Sequence, residues 1–377
     1  MKKKYENILP DSSNIAVLLS GGVDSGLVVH ELAERGLKPD LFYIRIGRND
    51  GSDGCSAEED IEICQLISKR YGLSLNVVSL HDEYWKYVMQ YVIDSVKKGL
   101  TPHPDMMCNK IIKFGFFEER YGKDFDNTVS GHYAQKFLVD GDFYLAPGID
   151  PVKDQTDFLS AISYEQFSHI LFPIGALSKE EVRNRALRAN LPNATRKDSQ
   201  GICFLGKINY RDFIRNTLGV KKGKIVDIAT GDVLGEHDGF WLYTIGQRKG
   251  LGLSGGPWFV IGKSAEENVI YVSKGYDTPL QYSSEIFMDR PHWITKNPFD
   301  GEMSFLKPER EGNMDTLDIT FKNRHAPEFL KGKLVADRNL FKIESESKVQ
   351  GVAPGQFVTI YTPDSQLCLG SAMITTE

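Results

Sequence analysis

A chain of 377 residues is too long for one ordinary domain and sufficient for two or three, each with its own core. Its 41% hydrophobic and 25% charged residues are those of an ordinary globular protein, and no apolar run approaches the roughly 20 residues that span a bilayer. Five scattered cysteines argue against a secreted disulfide framework, and the opening MKKKYENILPDSSN lacks the apolar core of a signal peptide, so a reducing cytoplasm is expected. The formal net charge of −6 counts mildly against nucleic-acid binding as the sole activity but leaves room for a basic face.

In chain order, Ile15–Leu19 reads as a buried strand, Gly26–Arg35 as a helix stopped by Gly36, and Leu41–Ile46 as a second strand. Ser56–Tyr71 opens with the capping-box pair Ser56 and Glu59, and Leu75–Leu80 is a third strand. Helices are expected over Asp82–Lys98, Asn109–Arg120 and Lys179–Ala189, the last capped by Ser178 and Glu181, and a strand ends at Asn127–Ser130. This alternation predicts an α/β fold with a parallel sheet, whose ligands bind at the carboxyl ends of the strands. Beyond about residue 205, after one more helix at Tyr210–Leu218, short alternating runs and glycine-rich turns take over, and from Ser283 onward the text reads as a small β-barrel. The expected division is therefore 1–205, a middle domain over 206–282, and a C-terminal barrel over 283–377.

The sharpest signal is Ser20-Gly21-Gly22-Val23-Asp24-Ser25, between a strand and a helix. Its glycines permit a tight turn, and the helix N-terminus offers N–H donors and partial positive charge to an anion. It is neither a Walker A loop nor a dinucleotide fingerprint. It resembles the PP-loop of the ATP pyrophosphatases, which cleave ATP between its α and β phosphates and adenylate a substrate oxygen.

Two cysteines sit in chemically loaded contexts. Cys108 follows Thr101-Pro102-His103-Pro104-Asp105 and is expected near a helix start, where a thiol tends toward thiolate. Cys203 lies in Asp198-Ser199-Gln200-Gly201-Ile202-Cys203, a glycine-flanked loop with Lys197 and Lys207 close in sequence. Cys55, Cys64 and Cys368 read as small buried hydrophobes. No C-x-x-C pair points to zinc, and no metal ligand set is assigned. Lys207, Arg211, Arg215, Lys221, Lys222 and Lys224, then Arg248 and Lys249, then Lys322 and Arg324 form basic clusters suited to phosphate contacts.

Taken together, SGGVDS, TPHPDMMCNKIIKF, Ser130-Gly131-His132-Tyr133, Lys153-Asp154-Gln155, DSQGICFLG, Gly246-Gln247-Arg248-Lys249-Gly250-Leu251-Gly252 and Pro354-Gly355-Gln356 resemble, in order and across nearly the whole chain, the MnmA-type tRNA-specific 2-thiouridylases. The resemblance implies ATP-dependent replacement of the C2 oxygen of the tRNA wobble uridine by sulfur. It implies ATP held by Leu18, Leu19, Ser20, Gly21, Gly22, Val23, Asp24, Ser25, Ile44 and Gly131, with magnesium, and a target base met by His103, Pro104 and Asp105. It implies tRNA contacts at Lys153, Asp154 and Gln155, and at Lys322, Asn323 and Arg324 in the barrel. Cys203 would carry persulfide sulfur, Cys108 would be the partner nucleophile and Asp105 an acid–base helper. The substrates implied are tRNAs for Glu, Gln and Lys, and the sulfur source a cysteine desulfurase or relay protein, with no membrane partner. A different PP-loop ligase acting on a small molecule is the alternative. The chain departs from the family at His103 (Asn), at Thr156-Asp157 (Ser-Tyr) and at Lys322-Asn323-Arg324 (Arg-Tyr-Arg).

Overall fold

A computed structural model describes residues 5–12, 14–47, 57–198, 210–276, 278–312, 314–338 and 340–376. The first sheet is built from β1 (Ile15–Leu18), β2 (Asp40–Arg45), β3 (Leu75–Ser79), β4 (Asn127–Val129) and a two-residue strand, Ile170–Leu171. The strands lie in the order β3-β2-β1-β4 and then Ile170–Leu171, all parallel. Helices α1 (Val23–Glu34) and α2 (Ala57–Tyr71), with the helix Lys179–Arg188, share one core with β1 through Ile15, Val17, Leu27, Ile67 and Val182. The parallel α/β sheet expected from the alternating pattern is present. The capping box at Ser178 and Glu181 is formed by both reciprocal hydrogen bonds.

The hairpin Ala134–Val139 and Asp142–Pro147 follows β4 in sequence but does not join its sheet. It pairs instead with the C-terminal strand Cys368–Met373, extending a ten-stranded antiparallel sheet that also runs through Tyr282–Met288, Leu340–Gln350, Leu330–Asp337, Met314–Asn323 and Phe357–Tyr361. Phe137 and Tyr144 of the hairpin enter the barrel core beside Ile319, Phe321 and Val358. The N-terminal stretch of sequence thus donates two strands to the C-terminal barrel. The middle sheet has four strands, Trp258–Ser264, Val269–Lys274, Gly223–Asp227 and Val233–His237, and its core closes over Val92 and Val96 of the helix Gln90–Lys97.

A buried ion pair fastens the junction between the first domain and the barrel. Lys322 Nζ donates to Asp154 Oδ2 at 2.7 Å, and each residue is 2% exposed. The other carboxylate oxygen of Asp154 accepts from the backbone N–H of Gly148 (3.0 Å) and Thr156 (3.2 Å) and from the Thr156 hydroxyl (2.5 Å). The ammonium also lies 4.4 Å from the centre of the Phe329 ring. A buried charge so fully bonded is tolerable, whereas one stripped of its partner is not. Lys322→Met should therefore lower unfolding free energy by about 3–5 kcal/mol, measured by urea denaturation. An unchanged midpoint and slope would show that the pair does not hold the domains together.

Candidate nucleotide and target-base site

β1 ends at Leu18, and Leu19 still donates from its backbone N–H to Phe42 O at 2.8 Å, so the chain leaves the sheet at Ser20. Gly21 then takes φ +76°, and a Cβ there would stand 3.0 Å from Asp60 O and 3.1 Å from an Arg196 guanidinium nitrogen. Only glycine fits this turn. Gly22 is the N-cap of α1 and supplies no side-chain cap, so the helix begins at Val23, three residues earlier than its periodicity suggests. Ser20 and Ser25 face each other at 3.2 Å, and the Ser25 hydroxyl donates to Gly22 O at 3.2 Å. Two serine hydroxyls and the first turn of a 12-residue helix thus converge on one anion-sized turn. Gly131 packs against the same turn, where a Cβ would meet Ser25 N at 3.0 Å. Leu18 and the β2 residue Ile44 are partly buried in one apolar cluster beside it, an apolar surface of the kind a purine ring needs.

Sequence reasoning missed the groups that brace this loop. Asn193, 1% exposed, donates to Gly21 O at 3.0 Å and Gly22 O at 2.8 Å, and Arg196 bonds Asp60 at 2.5 Å and Gly21 O at 3.3 Å. Asp24 is clasped by Lys179 Nζ at 2.7 and 2.9 Å and by the Tyr133 hydroxyl at 2.8 Å. Lys179 also reaches Asp198 at 2.8 Å, where Lys153 (2.8 Å) and Arg183 (2.6 Å) join it. Burial works to raise the Asp198 carboxyl, but hydrogen bonds from Lys153 and Lys179 outweigh it and hold the group at about 2. Asp198 opens the DSQGICFLG segment, so that segment is tethered at its start to the cations around the phosphate turn. Its cysteine, Cys203, lies outside the described residues, as do Cys55, Ser56 and Lys207. The only signal of Lys179 in the sequence was its place after a capping serine, which does not mark a buried lysine.

The helix bearing Cys108 begins earlier than expected. Pro104 occupies its first position and His103 caps it, the imidazole Nδ1 accepting from Met106 N at 3.3 Å. Proline at this position needs no N–H partner and carries a helical φ already, so the second proline starts the helix instead of delaying it. Asp105 stands in the first turn, and Cys108 begins the wider-wound continuation Cys108–Phe116, past the unbonded N–H groups. The helix N-terminus therefore serves Asp105 more directly than Cys108. Cys108 is partly buried on the cluster that contains Ile112 and Phe117.

Upstream of the cap, the C-terminal segment Pro354-Gly355-Gln356 holds Thr101 and Pro102. Thr101 N donates to Pro354 O at 2.8 Å, and Gly355, at φ +88°, sits where a Cβ would be 2.7 Å from Leu100 Cβ. The barrel thus positions His103, Pro104 and Asp105. These residues wall a cavity of about 590 Å3 where the first domain, the middle domain and the barrel meet.

The two tRNA-contact triplets expected from sequence meet each other. Asp154 and Lys322 form the buried pair, each 2% exposed, so their side chains are turned to each other. Gln155 turns inward, its Oε1 accepting from Tyr133 N at 3.0 Å, and Lys153 is drawn to Asp198. Asn323 is 7% exposed, and Arg324, at φ +61°, donates to Ile245 O at 3.0 Å while lining the cavity. Arg215, Lys221, Lys222, Lys224, Arg248 and Lys249 remain exposed, with Arg215 and Lys222 both bonded to Asp238.

The remaining described cysteines are inert by environment. Burial pushes the Cys64 thiol up to about 12 and the Cys368 thiol well above its ordinary value. Alkylation with iodoacetamide at neutral pH should leave both unlabelled in the native protein and label both after unfolding, read by peptide mass spectrometry. Native labelling of either would contradict the packing described.

Residues 13–207 match the family model described as tRNA methyl transferase HUP domain, residues 211–274 the tRNA methyl transferase PRC-barrel domain, and residues 283–374 the aminomethyltransferase beta-barrel domain. The tRNA-specific 2-thiouridylase MnmA 1 of Bacteroides thetaiotaomicron is 57% identical over 365 residues, covering 96% of this chain and 99% of that protein. The MnmA protein of Parabacteroides distasonis is 56% identical, and that of Porphyromonas gingivalis 54%, each with the same coverage of both chains. With similarity of this extent running through all three units, the chain belongs to the MnmA-type tRNA-specific 2-thiouridylases.

Proposed function

We propose that the protein uses ATP to activate the C2 oxygen of the wobble uridine in tRNA and replaces that oxygen with sulfur. The observation that carries this reading is a single stretch, residues 153–158, that links the phosphate turn to the cavity. Gln155 holds Tyr133, whose hydroxyl holds Asp24 of the turn, and Phe158, three residues on, lines the cavity beside Asp105. A nucleotide at the turn and a base in the cavity are thereby referenced to one piece of backbone, as in-line adenylation requires.

The uridine O2 attacks the α-phosphorus of ATP, pyrophosphate departs, and the base becomes an O-adenylate with a good leaving group. The terminal sulfur of a Cys203 persulfide then attacks C2. Cys108 thiolate attacks the Cys203 sulfur, the persulfide S–S bond breaks, its electron pair stays on the transferred sulfur, and AMP leaves with the original oxygen. The resulting Cys108–Cys203 disulfide is reduced by a thiol before the next turnover. In a variant order, Cys108 first releases the sulfur as sulfide, which attacks the adenylate. Asp105, in the first turn of its helix, serves proton transfer at the base.

Among the described residues, no three His, Cys, Asp or Glu side chains form a metal cage, and both Asp24 oxygens already face Lys179. Magnesium would therefore arrive on the nucleotide's own phosphates, screening their charge at the turn. The exposed lysines and arginines of the middle domain supply a face for tRNA phosphates, and the substrates proposed are tRNAs for Glu, Gln and Lys. A cysteine desulfurase, directly or through a relay protein, would load Cys203. No helix among the described residues is long and apolar enough to cross a membrane, and we place the protein in the cytoplasm with its tRNA.

Purified protein with ATP, magnesium, a desulfurase, cysteine and unmodified tRNA should yield 2-thiouridine on nuclease digestion and mass spectrometry. Cys203→Ser should abolish the product. Gly21→Ala should remove ATP binding along with it, because its Cβ has no room. Absence of thiouridine from a protein that binds ATP would instead favour a different PP-loop ligase. Affinity for tRNA should also fall by at least about tenfold between roughly 50 and 200 mM salt. A flat salt profile in filter binding would remove the phosphate-binding face from the account.

A further inference from the structure

A β-bulge in the middle domain aims a lysine at the cavity beside Asp105. In the strand Trp258–Ser264, Val260 stands opposite Val272 and Lys263 stands opposite Ile270. The first pair of positions is odd in spacing and the second even, and the extra residue is absorbed by a bulge between Val260 and Gly262. Strict alternation would put Lys263 on the face opposite Val260, and the bulge turns it onto the same face. That is the core face, because Val260, Ile270 and Val272 are each 0% exposed. Lys263 Nζ donates to the Tyr243 carbonyl at 3.0 Å, and no carboxylate among the described residues lies within ion-pair distance of it. An ammonium has three donors, so two remain, and a cation turned inward without a partner is costly unless a ligand completes it. Lys263 and Asp105 line the cavity together, and Phe158 and Trp241 give it aromatic walls, a lining suited to a base more than to a phosphate.

Resting on the thiolation reading above, we infer that Lys263 donates to O4 of the target uracil and stabilises the negative charge that O4 gains when N3 loses its proton to Asp105. Uracil presents O4 as an acceptor and N3–H as a donor, which match an ammonium and a carboxylate. Cytosine presents an amino group and a bare ring nitrogen at those places, so both contacts would set like against like. In the reaction Asp105 takes the N3 proton, and the electron pair left behind spreads over O2, N3 and O4. O2 then attacks the α-phosphorus, and pyrophosphate leaves with the electrons of the broken P–O bond. A fixed cation at O4 favours the ionised base over the neutral one, and so lowers the barrier to forming the nucleophile. Lys263 is thereby a specificity residue as well as an electrostatic one. Burial pushes its pKa down to about 8. His103, Asp105, Tyr210, Arg211, Arg324 and His325 line the same cavity around it. The contribution of Lys263 is present below about pH 8 and lost as pH rises through that value.

The test compares kcat/KM for tRNA carrying uridine or 4-thiouridine at the target position, because a thiocarbonyl accepts hydrogen bonds weakly. Product is read by mass spectrometry after nuclease digestion. Lys263→Met should lose about 100-fold on the uridine substrate. Wild type should also prefer uridine over 4-thiouridine by about tenfold more than Lys263→Met does. The dissociation constant of Lys263→Met for tRNA should stay within about twofold of wild type, since phosphate contacts carry that affinity. Lys263→Arg remains charged throughout, so between about pH 6 and about pH 9 it should lack the wild-type decline in kcat/KM. That comparison stands even where the methionine variant fails to fold. An equal preference for uridine in wild type and Lys263→Met, or an unchanged decline in Lys263→Arg, overturns the inference. So does a loss of tRNA affinity as large as the loss of kcat/KM, which would assign Lys263 to phosphate binding. Wild-type protein that binds ATP and tRNA but makes no thiolated base would overturn the functional reading itself, a distinguishable result.

Discussion

The buried pair of Lys322 and Asp154 is the constraint on which the site's geometry rests. Asp154 uses both oxygens, one on the ammonium from the barrel and one on the turn that follows the donated hairpin. Its neighbours in sequence then have fixed directions, with Lys153 toward Asp198, Gln155 toward Tyr133 and Asp157 toward His325. A short polar stretch thereby aims at the nucleotide turn on one side and at the three-domain cavity on the other. Low dielectric strengthens each of these bonds and makes each expensive to leave unmade, so the set behaves as one unit.

Charge around the phosphate turn is arranged on the same logic. Lys179, Lys153 and Arg183 surround Asp198, and Lys179 is shared with Asp24. These cations are neutralised by carboxylates while the turn's own N–H groups and hydroxyls are aimed at one place. An arriving triphosphate adds negative charge where positive groups are already gathered, so little reorganisation is needed when it binds. The Asp198 carboxylate is held by the same cations, which ties that residue to the phosphate turn through electrostatics.

The barrel's part in the site is mechanical. Gly355 presses its backbone against Leu100 and Thr101 at a distance no side chain allows, and Pro354 O accepts from Thr101 N. The capped turn His103-Pro104-Asp105 follows directly. The middle domain closes the opposite wall by packing its core on Val92 and Val96, so the cavity exists only when all three units are folded together. The His103 imidazole in this wall supplies the helix cap, and the Asp157 carboxylate is balanced by His325, which lines the same cavity.

The sequence by itself determined the parallel sheet, the phosphate turn, the change to β structure after residue 205, and the family. These are local properties: alternating apolar runs, a glycine pair between strand and helix, and capping residues act within a few positions of themselves. It misread the start of the Cys108 helix, because a proline can either delay a helix or open it and only the cap of His103 decides. It also gave no sign that residues 134–147 would pair with residue 368, that Lys179 would reach Asp24, or that Lys322 and Asp154 would bond each other. Only the tertiary structure decided those, because they depend on which segments, more than a hundred residues apart, arrive at the same place, and burial then converts exposed-looking charges into obligatory partners.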